Sequence, residues 1–408
     1  MKEKATALFF IFCVLITVPV DQTLSAEETT GGTSILHSVK KELKRGILEG
    51  ETGMYYEALS YDKSSFIEDD ETVDLNDSNL VVPFFQVNYI TAAYAGIRIG
   101  AGLTAYSHID DNSDRRNSIE DDDDIVVHQL YLGYEISHTF LKIGRMEFEE
   151  SLLLSDYYEA LSLVSEEIEN VVLFLAVVDK VAESDIDKFI EFENINGGDD
   201  SIDEYLFALE TTWNVVPDAI IPTLYYYHQG SLYDLYGAHI KVFHKEKEIG
   251  FGVHMDAYAT SEDNRNGLKD TDDKVHDSNI YHISPFLEVN DFTLAAGYID
   301  ADQDVGAREG LIDDYFNPFN EGDKVYEPDG ETWYSSLSYK SERFSIELVF
   351  GRTDYRDDSE PRTEEEFDIK AGLNFLDSFK LETEFANVKS ESPEGDVKIL
   401  EVLFSFEF

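Results

Sequence analysis

Cysteine is almost absent from this chain: its 408 residues include one, Cys13. Cys13 lies within the apolar run 5–20, which follows Lys2 and Lys4 and precedes the small residues that end at Ala26. This is the pattern of a secretory signal peptide, and we expect cleavage after Ala26. The mature chain would then contain no cysteine, which excludes a disulfide scaffold, a thiol enzyme and a Cys-ligated zinc protein.

Basic residues are scarce as well. The chain has 31 Lys and Arg against 85 Asp and Glu, a formal net charge of -54. Such an excess of negative charge repels nucleic acids and anionic polymers, so we expect no nucleic-acid partner. The acidity either favours cations near a pore mouth or reflects a saline habitat, and the sequence leaves both readings open.

Long apolar runs are also missing after the leader, where no run reaches the roughly 18 residues of a transmembrane helix. The chain alternates instead. In the last segment Leu400, Val402, Phe404, Phe406 and Phe408 share one face, and Glu401, Ser405 and Glu407 lie on the other. The same pattern recurs at 97–104, 249–256, 344–351, 367–375 and 379–385. The second face carries too many charges and glycines for a sandwich core, so the apolar face is expected to meet lipid.

Breaks in the alternation set the predicted architecture. Short breaks fall near 95–96, 138–139, 169–170, 216–218, 246–247, 290–291, 341–342 and 377–378. Longer polar stretches lie at 62–78, 109–124, 147–156, 183–204, 261–278, 302–331 and 357–364, with tighter ones near 229–231 and 392–395. This predicts an all-β, antiparallel transmembrane barrel of about 18 strands, with 16 as the alternative count, long outer loops and short periplasmic turns. The expected organisation is a signal peptide at 1–26, a periplasmic lead-in at 27–46 and an outer-membrane barrel at 47–408.

Two stretches resemble the OprD-like porins, which include the related major porins of epsilon-class bacteria. Residues 38–53 look like their lead-in to the first strand, and 141–148 with 155–161 look like the Gly-Arg strand and return strand around their third outer loop. The resemblance implies an 18-stranded barrel whose third loop folds inward, with basic residues on one wall and acidic residues at the constriction. It carries over, as constriction residues, Arg145, Glu147, Glu149, Glu150 and Asp156.

This loop departs from the family pattern, because Leu152, Leu153 and Leu154 replace a polar run that contains Arg and Pro. The family's substrate preference is therefore not carried over. Alginate-exporter barrels share a similar Gly-Arg strand, but they need a basic conduit and this chain has the opposite charge.

Arg145 shares parity with the apolar Leu141 and Ile143. Either Gly144 marks a bulge that turns Arg145 inward, or the strand has already left the membrane at this point. An arginine facing lipid near the midplane costs roughly 2–4 kcal/mol.

Parity assigns a further set of charged side chains to the lumen: Arg98, Lys340, Lys370, Lys380, Glu288, Glu347, Asp368, Glu382, Glu384 and Glu401. Their acidic excess predicts a preference for cations, since carboxylates lower the barrier for cation entry; alternatively, the charges pair across strands. Aromatic residues near strand ends are expected to form interfacial girdles: Tyr89, Trp213, Tyr225, Tyr339, Phe404 and Phe408.

Catalytic motifs are not found: the sequence has no Gly-x-Ser-x-Gly, His-Glu-x-x-His or phosphate loop. His254 and Asp256 share one strand face and are read as lumen lining, so we expect neither an enzyme nor a cofactor. Aspartates in the loops are either solvated or bind calcium that bridges to lipopolysaccharide: Asp121, Asp122, Asp123, Asp300, Asp302 and Asp304.

The sequence thus predicts an outer-membrane porin that passes small hydrophilic solutes by passive diffusion, prefers cations and is narrowed by its third outer loop. One alternative is a plugged structural or adhesive barrel with acidic, cation-binding loops, whose stretch 302–331 is long enough to cover the mouth. Another is a soluble, secreted all-β binding protein. The expected partners are outer-membrane lipid, lipopolysaccharide and small solutes or ions. The oligomeric state stays open between a homotrimer and loosely associated barrels.

Overall fold

The computed structural model describes most of the chain from residue 45 onward: 45–63, 65–68, 71–74, 77–107, 110–111, 125–182, 193–194, 205–230, 233–262, 277–304, 306–307, 315–322, 324–357, 360–376, 378–392 and 395–408. The expected signal peptide, nearly all of the lead-in and Asp121, Asp122 and Asp123 lie outside these ranges. The predictions made for them stay predictions.

A single closed sheet dominates the fold. It contains 20 strands, of which Asp110–Asp111 and Glu193–Asn194 are short additions. The others form the wall: β1 (Ile47–Tyr61), β2 (Ser78–Ile90), β3 (Ile97–Tyr106), β4 (Ile125–Ile136), β5 (Thr139–Glu147), β6 (Tyr157–Ser165), β7 (Val171–Ala182), β8 (Leu206–Trp213), β9 (Ile220–Gln229), β10 (Tyr233–Glu246), β11 (Ile249–Glu262), β12 (Ser278–Val289), β13 (Phe292–Ala301), β14 (Glu331–Lys340), β15 (Phe344–Asp357), β16 (Glu360–Phe375), β17 (Phe379–Ser390) and β18 (Val397–Glu407). A hairpin of Ser65–Glu68 and Glu71–Asp74 forms a separate small sheet.

Each wall strand pairs antiparallel with its neighbours in the sequence, and β1 pairs with both β2 and β18. The sheet therefore has no free edge along its length and closes into a barrel. The predicted all-β barrel is confirmed, with 18 wall strands rather than 16.

The apolar residues that alternate along the strands lie on the outside. In β18 and at the residue after it, Leu400, Phe404 and Phe408 are 39–48% exposed, while Ile399 and Ser405, of the opposite parity, are buried. The same holds around the wall, where large aliphatic and aromatic side chains form a continuous exposed surface. In water such a surface would be unstable, so its natural environment is hydrocarbon.

Short turns join the strands at one end of the barrel. Ala95, Asn170, Lys247 and Asn290 have φ between 54° and 63°, the left-handed conformation that tight hairpin turns require. The first and last strands meet at the same end, where Gly50 and Phe408 exchange two backbone hydrogen bonds of 2.9 Å. The opposite end carries the longer loops, as the sequence predicted.

The prediction of a loop is wrong at one place in the chain. The stretch 357–364 is largely strand, because β15 continues to Asp357 and β16 starts at Glu360. Their outer ends are paired up to Asp357 and Glu360 in an unbroken ladder. Polar residues form this ladder where the strands extend past the apolar belt, so hydrophilicity alone did not mark a loop. Within the described residues, no helix is long and apolar enough to cross a membrane.

Candidate pore constriction

Loop 3, residues 148–156 between β5 and β6, is held against the inner wall by a buried carboxylate. Glu210 of β8 accepts hydrogen bonds from the Ser151 hydroxyl (2.5 Å), from the Leu152 backbone N–H (2.8 Å to the nearer oxygen) and from the Tyr227 hydroxyl. Three donors on one carboxylate compensate part of its burial cost. The loop is thereby fixed on the lumen side of the barrel.

The apolar residues of loop 3 pack the loop against this wall. Leu153, Leu154 and Phe148 are buried, and the Phe148 ring lies 4.9 Å from Tyr158 and 5.2 Å from Phe174. The departure from the family pattern at the three leucines therefore gives the loop an apolar anchor of its own.

Loop 7 comprises residues 302–330 between β13 and β14, and its described segment 315–322 contacts the inner wall of the barrel. The Tyr315 hydroxyl donates to Oδ1 of Asp256 on β11 at 2.9 Å, and Phe316 packs on Tyr258 with ring centroids 5.1 Å apart. Asp256 in turn contacts Nδ1 of His239 at 2.5 Å and Nδ1 of His282 at 3.3 Å. The partners of Asp256 are thus Tyr315 and the histidines of the two neighbouring strands, rather than His254 of its own strand.

The tip of loop 7 reaches a different part of the wall. The backbone N–H groups of Asn320, Glu321 and Gly322 lie 3.2, 3.0 and 2.6 Å from the carboxylate oxygens of Glu366 on β16. Consecutive N–H groups form a concave anion site of this kind. Lys370 Nζ adds a hydrogen bond of 2.7 Å to the Asn320 side chain. Because Tyr315 contacts β11 and the tip contacts β16, loop 7 bridges two sectors of the barrel wall.

Carboxylates line the wall next to this tip at one level. Glu57 is directly opposite Glu401 in the β1–β18 ladder, and Glu401 is directly opposite Glu384 in the β17–β18 ladder. The row continues through Lys370 to Glu347. Lys370 Nζ lies 3.3 Å from Glu384. Three successive like charges across adjacent strands are unfavourable, so these glutamates lower the stability of the folded barrel.

Glu321 adds a carboxyl group beside the three successive glutamates of this row, and we call Glu57, Glu321, Glu384 and Glu401 the carboxylate belt. The Tyr55 hydroxyl lies 2.7 Å from Glu401 and 3.2 Å from Glu57. Burial, and then the negative charges of the belt and of Glu366, raise the pKa of Glu321 to about 8. The loop tip therefore retains a proton at a pH where an exposed glutamate has lost it.

Other predicted lumen charges are paired nearer the short-turn end of the strands. Arg98 lies 2.6 Å from Glu135, Lys380 lies 2.9 Å from Glu382, and Lys245 lies 3.4 Å from Glu288. In this part of the lumen the charged side chains therefore pair with one another, as the second reading of the sequence predicted. At the level of the belt, by contrast, the carboxylates outnumber the one lysine of the row.

Arg145 does not line the lumen, which corrects the sequence-based prediction. Its Cα partners are Leu130, 55% exposed on the outer surface, and Glu159, and neither ladder shifts register at Gly144. Gly144 has φ +128°, where a Cβ would lie 2.2 Å from the Leu130 carbonyl. The explanation by a bulge is thus wrong.

Arg145 instead lies at the loop end of β5, on the outer face. Its Nε is 2.6 Å from Glu159, and its Nη1 donates to the Val127 carbonyl at 3.3 Å. Val127 has no paired residue on β5, because the β4–β5 ladder ends at Leu130 and Arg145. The guanidinium therefore satisfies a backbone acceptor where β5 separates from β4.

The remaining residues carried over from the family lie in or beside loop 3. Glu147 ends β5, Glu149 and Glu150 are exposed, and Asp156 is half-buried next to β6. Glu149 and Glu150 interact electrostatically with the lumen-facing Tyr131. A position of these four residues at the pore stays a prediction.

The aspartates at the start of loop 7 do not gather into a calcium site. Asp302 accepts from Asn279 and from the Asp304 backbone at 3.0 Å each, and Asp300 is a residue of β13. Across the described parts of the chain, no three acidic or histidine side chains are arranged to hold a metal ion.

The predicted aromatic girdles are present on the outside, with one correction. Trp213, Phe404 and Phe408 are exposed on the outer surface. Tyr225 is only 3% exposed and its hydroxyl donates to the Ala257 carbonyl at 3.3 Å inside the barrel. Its parity, shared with the buried Tyr227, was the signal that should have assigned it to the lumen.

Several site residues were not identified from the sequence. Glu57, Glu210 and Glu366 lie on inward-facing strand positions, so a parity count over β1, β8 and β16 could have found them. Glu321 and Tyr315 lie in an irregular loop, where no periodicity exists to assign a direction.

The closed wall, the apolar exterior and the charged lumen define a transmembrane β-barrel of the bacterial outer-membrane type. No family model matches the sequence, and no curated protein matches it. Solved structures do match. OccK3 (OpdO) of Pseudomonas aeruginosa is 15% identical with a TM-score of 0.72, covering 91% of this chain and 98% of that one.

Two further structures have similar scores. OccAB4 of Acinetobacter baumannii is 12% identical with a TM-score of 0.71, and OpdK of Pseudomonas aeruginosa, solved with vanillate, is 12% identical with a TM-score of 0.69; each match covers 88% of this chain and 98% of the other. The chain therefore has the fold of the OprD/Occ barrels, and the resemblance first drawn from 38–53 and 141–161 extends to the whole wall.

Proposed function

We propose that this protein is an outer-membrane porin that passes small hydrophilic solutes by diffusion and prefers cations. The observation that carries the proposal is the carboxylate belt, which lies on the lumen wall beside the tip of loop 7. A row of carboxylates with one lysine lowers the barrier for cation entry and raises it for anions.

Loops 3 and 7 are the proposed constriction. Glu210 holds loop 3 inward, and Asp256 and Glu366 hold loop 7. The constriction thus has two loops rather than the third loop alone. The acidic lumen also argues against transferring to this chain an anionic solute such as the vanillate of OpdK.

The test is single-channel recording in a planar bilayer, with reversal potentials measured across a KCl gradient. We expect cation-selective conductance that falls in the double variant Glu384→Gln/Glu401→Gln. The single variants Glu384→Gln and Glu401→Gln are compared with the matched control Glu365→Gln, which removes one carboxylate from the outer face, where Glu365 is opposite Arg352 and Lys389. A folded barrel without conductance steps would refute the porin function; equal reversal potentials in all variants would refute the role of the belt.

A plugged, non-conducting barrel is the second candidate, because loop 7 contacts two sectors of the wall. Replacing residues 315–322 by a Gly-Ser linker distinguishes a plugged barrel from a porin. Solute flux that appears only after the replacement supports a plug, whereas flux in the intact protein supports the porin. Contacts with lipopolysaccharide through the acidic loops, and a homotrimer, stay predictions.

A further inference from the structure

We propose that Glu321 controls the width of the pore: while its carboxyl group is protonated, residues 315–322 stay seated on the wall, and when it ionises the tip leaves the wall and the passage widens. This regulation rests on the proposed porin function, because it concerns the same lumen.

The seat of the tip consists of main-chain hydrogen bonds to two neighbouring carboxyl groups of β16. The N–H groups of Asn320, Glu321 and Gly322 point to Glu366, that of Asn320 also lies 3.3 Å from Asp368, and Lys370 holds the Asn320 side chain. The approach is close, since a Cβ on Gly322 would lie 2.4 Å from a Glu366 oxygen. Seating the loop therefore forces the Glu321 side chain into a fixed position against the wall.

That position is surrounded by carboxyl groups from every strand that faces it. The groups are Glu57 of β1, Glu384 of β17, Glu401 of β18, and Glu364, Glu366, Asp368 and Lys370 of β16. Lys370 is the single cation of this set, and it is already 3.3 Å from Glu384. An ionised Glu321 would thus be repelled by the wall that its own backbone binds.

The direction of the pH effect follows from this environment. Burial and the neighbouring carboxylates raise the pKa of seated Glu321 to about 8, against a value of 4.5 for the free side chain. The seated state binds the proton more tightly, so its advantage falls as the pH rises from 4.5 toward about 8 and then levels off. The Tyr315 contact with Asp256 is at the other end of the segment and holds the loop while the tip moves.

The experiment measures single-channel conductance of the full-length barrel between pH 5 and pH 9 for the wild type, for Glu321→Gln and for Glu327→Gln. Gln at 321 imitates the protonated group. Glu327 lies in the same loop, 3.8 Å from Lys324, and supplies the matched control. We expect conductance to rise with pH in the wild type and in Glu327→Gln, and to stay at its low-pH value in Glu321→Gln.

A flat wild-type profile, or an equal rise in Glu321→Gln, overturns the proposal; the second result would assign the rise to other groups of the lumen. Hydrogen exchange of the backbone amides at 320–322 tests whether the tip leaves the wall, and it needs no conductance. The measured quantity is the exchange rate in the wild type divided by the rate in Glu321→Gln at the same pH. A ratio that stays at one overturns the proposal too. If the ratio rises with pH but the barrel does not conduct, the pH-dependent movement of the tip is supported and only the porin function is refuted.

Discussion

Replacing Glu401 by Gln should make the barrel more stable and less cation-selective at the same time. Glu401 is directly opposite Glu57 on one side and Glu384 on the other. At a separation of about 5 Å, two carboxylates repel each other by about 1 kcal/mol in water and about 3 kcal/mol at an effective dielectric constant of about 20. Screening by lumen water and salt reduces this repulsion, so we expect a gain of about 1–3 kcal/mol in the free energy of unfolding near pH 8.

The amide keeps an oxygen that accepts the Tyr55 hydroxyl, now 2.7 Å from Glu401, so the hydrogen bond survives the change. The assay is urea unfolding of the barrel in lipid vesicles, followed by tryptophan fluorescence at pH 8 and again near pH 4. The gain should be smaller near pH 4, where a free glutamate is largely protonated. The control is Glu382→Gln on the adjacent lumen row, which removes an ion pair with Lys380 at 2.9 Å and should bring no gain.

A lower free energy of unfolding for Glu401→Gln at pH 8 would refute the reasoning. It would mean that the contacts of Glu401 with its neighbours are attractive overall and not repulsive. So would a gain that persists unchanged at pH 4.

Three more outcomes follow from the loops and from the outer face. Glu210→Ala removes the acceptor for Ser151 and Leu152, so loop 3 should move outward and single-channel conductance should rise, at a stability cost of about 1–3 kcal/mol; unchanged conductance would contradict the anchoring role. Asp256→Asn weakens the Tyr315 contact of loop 7, and larger current fluctuations in single-channel records should follow. Arg145→Ala should leave the reversal potential unchanged because the side chain is on the outer face, while stability falls by about 1 kcal/mol or less; a shifted reversal potential would return Arg145 to the pore.

The acidity of the chain is not distributed at random around the lumen. Near the short-turn end, lysine and arginine side chains pair with nearby carboxylates, whereas Glu57, Glu384 and Glu401 face one another. Adaptation to salt alone would not require like charges on opposed lumen positions, since exposed loop positions could carry them without this repulsion. The arrangement therefore favours a role in ion passage, which the reversal potentials test.

Most of the architecture could be predicted from the periodicity of the strands. Because successive side chains point to opposite faces, the parity of Phe404 and Phe408 set the outer surface and the parity of Glu384 and Glu401 set the lumen. Breaks in that parity located the turns. Hydrophilicity was a poorer guide at 357–364, where polar residues continue β15 and β16 beyond the apolar belt.

Tertiary structure decided what parity left open. The sequence offered two explanations for Arg145, and only the unshifted ladders on both sides of Gly144 chose between them. Likewise, the length of 302–331 suggested a cover for the mouth, but its contacts with Asp256 and Glu366 arise from residues far apart in the chain.

The amino-acid sequence by itself thus determined which side of each strand meets hydrocarbon, because that property is local and repeats every second residue. The position of Glu321 among carboxylates of four strands was decided only by the closed barrel. An irregular loop has no period, and its side chains acquire a direction only when the wall supplies partners such as Glu366 and Lys370.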